Sequence, residues 1–240
     1  MLSQHISDSK ASVIIGNGEV GKALYKVLDE HYIVFIRDKI GPVFPNSEEV
    51  ESSRVEILHI CIPFSRHFVK IVKQYKKDYD PEYTVIHSTV PVGISRKCGA
   101  IHSPVRGMHP EMENGLKTYV KFLGGKDASE VADYFRRANF KIQLCEKQET
   151  TELAKILSTT RYGIDIEFAK DTAKLCRRFK VPFSEVYTLW TLTYNKGLKK
   201  KGEEELCRPV IQPIEKKIGG HCVLPNAELL KTRFTEFLKK

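Results

Sequence analysis

The run Ser12-Val13-Ile14-Ile15-Gly16-Asn17-Gly18-Glu19-Val20-Gly21-Lys22-Ala23-Leu24 constrains this chain more than any other stretch. An apolar run ends in a glycine turn and opens onto apolar residues at helical spacing: Val20, Ala23, Leu24, Val27 and Leu28. That pattern reads as strand, tight turn and helix. Within it each glycine has a task. Gly16 permits the sharp turn, Gly18 lets backbone approach a pyrophosphate, and Gly21 lets the helix pack closely on the strand. The N–H groups of Asn17, Gly18, Glu19 and Val20 at the helix start, with the helix dipole, form a cradle for phosphates. The segment predicts a dinucleotide site.

The first 149 residues continue the alternation. Apolar runs at 32–36, 55–62, 84–87, 119–123 and 141–144, with a short one at 101–104, read as strands. Segments 22–29, 68–75 and 128–138 read as helices, and Gly41-Pro42 and Pro45-Asn46 punctuate a loop. Strands separated by helices imply βαβ units and a mainly parallel, doubly wound α/β sheet. Such sheets bind ligands at the carboxyl ends of their strands. Those ends are Gly16, Arg37-Asp38, Ile62-Pro63 and Ser88-Thr89, which are expected to line one crevice.

The character changes near Thr150. Leu153, Ile156, Leu157, Ile164, Phe168, Leu175 and Phe179 recur at helical spacing through a stretch with one glycine and no proline. Thr150 or Thr151 is the expected cap, Val181-Pro182 the stop, Ser184 the cap of a second helix through Trp190, and Glu228 to Leu238 a final helix. The chain thus divides into an α/β domain at 1–149 and a smaller helical domain at 150–240 built on one long helix. That helix is too apolar to stand alone, so it packs on the first domain, on a partner subunit, or on both.

Several classes are disfavoured. No apolar run is long enough to span a bilayer, and Met1–Lys10 lacks the apolar core of a signal peptide, so a cytoplasmic protein is expected. Six scattered cysteines without a C-x-x-C pair point to reduced thiols. His102, His109 and His221 match no metal-ligand spacing, and no metal is expected. The net charge of +9 is spread among acids. It fits a solvated surface first, an anionic small-molecule substrate second, and nucleic acid last.

Read together, the motifs resemble one family. They are the glycine loop, Ser88-Thr89-Val90-Pro91-Val92-Gly93, Tyr119-Val120-Lys121-Phe122-Leu123-Gly124-Gly125, Glu152-Leu153-Ala154-Lys155 and Gly219-Gly220-His221-Cys222. In this order they resemble the UDP-glucose/GDP-mannose dehydrogenase family over roughly Ser12 to Leu230. The resemblance implies a Rossmann-like domain, NAD as cofactor, a sugar or sugar-nucleotide alcohol as substrate, and a homodimer built on the long helix. It implies Cys222 as the nucleophile that captures an aldehyde, with His221 beside it, Lys155 as a cation for a developing oxyanion, and Thr89 on the nicotinamide side. The family's further C-terminal domain, which grips much of the sugar nucleotide, has no counterpart in this sequence.

The departures bear on mechanism. Where the family usually has an aspartate four residues after the cysteine, this chain has Asn226. Where it usually has an asparagine four residues after the lysine, this chain has Thr159. Where it typically carries glutamates, this chain runs Val105-Arg106-Gly107-Met108-His109-Pro110, and Arg106 and His109 become candidates for an anionic substrate group. An amide at 226 cannot serve as a carboxylate base, so hydrolysis of a thioester is in doubt while a single alcohol–carbonyl hydride transfer is not. In register with the family, Arg37 stands where an acid would meet the ribose of NAD, with Asp38 beside it, so NADP stays open. An NAD(P)-dependent alcohol dehydrogenase is the leading expectation. A non-catalytic dinucleotide-binding sensor or subunit of a larger complex is the alternative, and an anion- or RNA-binding surface on the lysine-rich C-terminal part is a weaker third.

Overall fold

The computed structural model describes residues 10–38, 41–43, 54–107, 111–214 and 223–239. Two compact units are present, 1–155 and 156–240.

In the first unit, strands β1 (Lys10–Ile15), β2 (Ile33–Asp38), β3 (Gly41–Val43), β4 (Arg54–Ile60), β5 (Tyr83–Ile86), β6 (Ile101–His102), β7 (Lys121–Gly124) and β8 (Ile142–Cys145) form one sheet in the order β3-β2-β1-β4-β5-β6-β7-β8. Pairing is parallel from β2 through β6, β3 and β7 pair antiparallel to their neighbours, and β8 follows β7 in parallel. Chain order reverses between β1 and β4, which makes their carboxyl ends the switch point of a Rossmann-like α/β fold.

Helices α1 (Glu19–Asp29), α4 (Met112–Thr118) and α5 (Ala132–Arg137) cover one face. Their Leu24, Val27, Leu28, Met112, Leu116 and Phe135 pack on Ile14, Ile57, Val85 and Leu123 of the sheet. Helices α2 (Phe68–Tyr79) and α3 (Ile94–Cys98) cover the other, with Phe68, Val72 and Cys98 on Val13, Ile15, Leu58, Ile60 and Ile86. Strand residues are mostly apolar on both faces because both are covered.

Three local expectations are corrected. Gly41-Pro42 is an edge strand, antiparallel to β2, rather than a loop. Proline is tolerated at a sheet edge, and three residues are too few for a periodic signal. Helix α6 (Gln148–Phe179) starts before Thr150 and Thr151, so neither caps it. The Thr151 hydroxyl instead lies 2.7 Å from Nδ1 of His102 and 2.9 Å from the carbonyl of Gln148. Ser184 caps nothing either. The N–H groups of Glu185 and Val186 donate to the carbonyl of Pro182, so the proline turn starts a π-helical segment (Ser184–Leu189) that runs into α7 (Trp190–Lys200).

The second unit holds most of α6 with α7, α8 (Val223–Glu228) and α9 (Arg233–Leu238). The expected single final helix is broken. Lys231 takes a left-handed φ of 48°, and Thr232 with Thr235 builds a capping box that starts α9 afresh. The one glycine of α6, Gly163, has a packing reason. A Cβ there would strike the Val223 side chain and come 3.2 Å from Leu238. A mid-helix glycine normally gains about 1 kcal/mol on change to alanine. Here Gly163→Ala is expected to destabilise by about 1–3 kcal/mol through overpacking, read as a lower urea midpoint.

Candidate functional site

The glycine turn has the geometry its sequence demands. Gly16 has φ of 108°, and a Cβ on it would come 2.7 Å from the carbonyl oxygen of Cys61. A Cβ on Gly21 would strike the carbonyl of Gly16, so α1 lies on the turn with nothing between. Gly18 is different, because nothing stands within 4 Å of where its Cβ would be. A ligand can therefore approach that backbone, and the residues present fit a dinucleotide pyrophosphate. The first intrahelical bond is Lys22 N–H to the Gly18 carbonyl at 2.9 Å, so the N–H groups of Glu19, Val20 and Gly21 precede the ladder. The N–H of Asn17 donates to Oδ2 of Asp38 at 2.9 Å, so Asn17 holds the acid rather than offering its N–H outward. Arg37 contributes its carbonyl, which accepts the N–H of Gly16 at 2.7 Å. Of the pair at the end of β2, Asp38 brings its carboxylate to the mouth of the turn.

The neighbouring strand ends join this turn. Ile62, before Pro63, comes 3.1 Å from the Gly16 Cβ position, and its carbonyl accepts the Ser88 hydroxyl at 2.5 Å. The half-buried Thr89 follows Ser88. Gly16, Ile62 and Ser88 thus stand at the carboxyl ends of the neighbouring strands β1, β4 and β5.

The start of α6 is fastened around the Ser88-Thr89 corner by three consecutive devices. Thr151 meets His102, whose Nε2 lies 3.2 Å from the Ser88 carbonyl. Glu152 is fully buried, and its two carboxylate oxygens accept the N–H groups of Gly93 and Ser95 at 2.5 and 2.8 Å. A carboxylate there neutralises the amino end of α3. One turn on, Nζ of Lys155 donates to the carbonyl of Val105 at 2.9 Å. The exposed Arg106 guanidinium lies 5.4 Å from the Phe122 ring and 5.8 Å from the Tyr119 ring and donates to the Val120 carbonyl at 3.4 Å. In the second unit, the two departures meet each other: the Asn226 amide donates to the Thr159 hydroxyl at 3.3 Å, and that hydroxyl donates to the Ile156 carbonyl at 3.0 Å. Cys222, His221 and His109 lie outside the described residues.

Sequence reasoning missed a buried polar row on the α1 face of the sheet. His59 of β4 shares the face of Ile57, His87 that of Val85, Ser103 that of Ile101, and Lys121 that of Leu123. Nδ1 of His59 is 3.0 Å from Nε2 of His87. Nδ1 of His87 is 3.0 Å from the Ser103 carbonyl and 3.2 Å from Nζ of Lys121. The Lys121 amine lies over the rings of Phe135 and Phe140 at 5.0 and 5.6 Å. The signal in sequence was a histidine near the end of each of two successive strand runs, His59 and His87. Desolvation pushes Lys121 down to about 7, against an opposing pull from Cys61. It pushes His59 down to about 3 and His87 well below the usual histidine range, in both cases reinforced by the Lys121 charge. On the opposite face, burial holds His102 at about 4, opposed by its bond to Ser88. Burial also pushes the Cys61 thiol up to about 12.

No family model and no curated protein matches the sequence. Solved structures do match. The chain aligns over 95% of its length with 67% of UDP-D-ManNAc dehydrogenase from Pyrococcus horikoshii, at a TM-score of 0.71 and 16% identity. It aligns over 99% of its length with 70% of a UDP-glucose dehydrogenase from Pyrobaculum islandicum, at 0.60 and 14%. It aligns over 77% of its length with 70% of 3-hydroxyisobutyrate dehydrogenase from Mycobacterium tuberculosis, at 0.60 and 14%. The likeness establishes the fold. Among the described residues no helix is long and apolar enough to cross a membrane.

The buried bases set a pH dependence. Each has a folded-state proton affinity below its unfolded value, so the unfolded chain binds more protons and stability falls as pH falls. The loss from Lys121 runs from about 10.5 down to about 7, and that from His59 and His102 from 6.5 down to about 3 and 4. The thermal midpoint is expected to fall steadily from pH 9 to pH 5. A midpoint that is flat or rises on acidification would contradict the buried neutral row.

Proposed function

We propose that the chain is a nicotinamide-dinucleotide-dependent dehydrogenase that oxidises an alcohol of a small, anionic, sugar-like or sugar-nucleotide substrate. The carrying observation is the glycine turn at the β1–β4 switch point, with open space before Gly18 and the Asp38 carboxylate at its mouth. Solved structures of the same fold include sugar-nucleotide and hydroxyacid dehydrogenases, which supports the reaction class. The bound dinucleotide would supply the hydride acceptor.

The chain's own residues divide the remaining work. The helix start at Glu19 and Val20 with Gly18 would hold the pyrophosphate, and Asp38 would accept hydrogen bonds from the adenosine ribose. A carboxylate at that point repels a 2′-phosphate, which favours NAD over NADP. Ile62, Pro63, Ser88 and Thr89 would line the nicotinamide end. Lys155, on the Val105 carbonyl, is the cation that would stabilise a developing alkoxide. Arg106, with its exposed guanidinium beside the Tyr119 and Phe122 rings, suits an anionic substrate group, with His109 as its candidate companion. Thr159 and Asn226 bond to each other and neither is a carboxylate, which supports one hydride transfer without thioester hydrolysis. Cys222, with His221, would then be a substrate contact rather than a required nucleophile.

The test is binding and turnover together. NAD is expected to raise the melting temperature more than NADP, by mass action on the folded state. Asp38→Ala is expected to cost about tenfold in NAD affinity and to erase that preference. With a sugar-nucleotide panel, Lys155→Ala is expected to lower kcat on the order of 10²–10³-fold while NAD affinity holds. Dinucleotide binding without turnover of any panel member would favour the non-catalytic sensor, and absence of binding would reject the reading.

The long helix carries a separate proposal. Leu157, Phe168, Leu175 and Phe179 lie on one stripe of α6 and are all exposed, Phe179 by 67%. We propose that this stripe is covered by the same stripe of a second copy. Light scattering is expected to give twice the 27.5 kDa of one chain, and Phe168→Glu with Leu175→Glu a monomer. A monomeric wild-type chain at micromolar concentration would reject it.

A further inference from the structure

The buried row on the α1 face has no part in the reaction just described, yet it has the parts of a proton-binding site. A backbone carbonyl only accepts, so the Ser103 carbonyl assigns the His87 hydrogen to Nδ1. Nε2 of His87 is then bare and accepts from Nδ1–H of His59, and Nε2 of His59 carries no hydrogen. That atom is buried with no partner among the described residues. In this arrangement Lys121 faces a ring N–H at 3.2 Å, which an amine lone pair can accept and an ammonium cannot.

A second arrangement is open, at the cost of the His87–Ser103 hydrogen bond. If Lys121 takes a proton, its ammonium donates to Nδ1 of His87. The His87 hydrogen then sits on Nε2 and is donated to Nδ1 of His59, whose own hydrogen moves to Nε2. One added proton is accommodated by two ring tautomer changes: the new ammonium–imidazole bond replaces the His87–Ser103 bond, and the hydrogen on His59 Nε2 is buried without a partner among the described residues. The groups that face Lys121 are His87 from β5, Cys61 from the end of β4, and the Phe135 and Phe140 rings, with His59 behind His87 and His102 across the sheet. No carboxylate is paired with it among the described residues.

This row sits close to the glycine turn. His87 follows β5, two strand positions from β1, which is roughly 10 Å at the usual strand spacing. Cys61, which interacts electrostatically with Lys121, is the residue whose carbonyl abuts Gly16. Ile14, Ile57 and Val85 of the same buried cluster line this face of the sheet. The proton itself sits on Nζ of Lys121, 3.2 Å from the His87 ring, and at roughly 10–15 Å in protein one unit of charge changes a proton affinity several-fold.

We propose that Lys121, with His87 and His59, is a proton site linked to the dinucleotide site, loaded in preference when the bound dinucleotide is the reduced, more negative form. The inference rests on the dinucleotide reading above. Its consequence is reciprocal: protons strengthen binding of the reduced form, and the reduced form strengthens binding of protons. The position of Lys121 near neutrality puts the effect in an accessible range of pH.

The experiment is titration of the full chain with NAD⁺ and with NADH from pH 6 to 9 at constant ionic strength, where neither form of NAD itself titrates. The ratio of their Kd values, NAD⁺ over NADH, is expected to rise several-fold as pH falls from 9 to 6.5. Calorimetry at pH 8 in phosphate and in Tris is expected to report more proton uptake with NADH than with NAD⁺. Lys121→Met, which preserves length and removes the amine, is expected to flatten the ratio while both ligands still bind. His87→Gln is expected to displace the pH profile. A pH-independent ratio in the wild-type chain, or an unchanged profile in folded Lys121→Met, would overturn the proposal while leaving the dinucleotide site intact. Failure of both ligands to bind would overturn the dinucleotide reading, and the linkage with it.

Discussion

The site depends on a contact that only glycine allows. Helix α1 comes so close to the end of β1 that a methyl group on Gly21 would strike the carbonyl of Gly16, and one on Gly16 would press on the carbonyl of Cys61. Removing side chains from these two positions sets the helix start directly above the switch point of the sheet. Strand order then brings Ile62 and Ser88 to the same edge. The polar ends gathered there are tied to one another by the Asn17–Asp38 and Ser88–Ile62 bonds, which keeps the mouth of the turn in shape.

A second set of ties fastens the first residues of the long helix, within the first unit, to that edge. Thr151, Glu152 and Lys155 each reach a different loop: the end of β6 through His102, the start of α3, and the carbonyl of Val105. Glu152 is the costliest of the three to bury and also the best satisfied, because both oxygens take backbone N–H groups. A carboxylate in that place is a positioning device for the corner that carries Thr89. One turn further on, the half-buried Lys155 is held on the Val105 carbonyl.

Much of the fold was legible because it rests on local pattern. The glycine order, the apolar strands and the helical spacing after Thr150 each report on neighbours along the chain. What escaped depends on partners far apart in sequence. Nothing local marks Glu152 as buried, since its partners are Gly93 and Ser95. The pairing of Asn226 with Thr159 joins two departures from the family pattern that looked unrelated. The row of His59, His87 and Lys121 becomes visible only when β4, β5 and β7 are laid side by side. The capping expectations for Thr151 and Ser184 missed for a like reason: the first hydroxyl is committed to the sheet, and the second lies inside a helix already started by Pro182.

The central claim is that the glycine turn, with the strand ends beside it, holds a nicotinamide dinucleotide. Hydrogen–deuterium exchange of the whole chain with and without saturating NAD tests it most directly. The account predicts slowed exchange in peptides covering Gly16–Leu24, Cys61–His67 and Ser88–Gly93, with little change in α7. Unchanged exchange in those three segments, or protection confined to the lysine-rich end of α7, would contradict it.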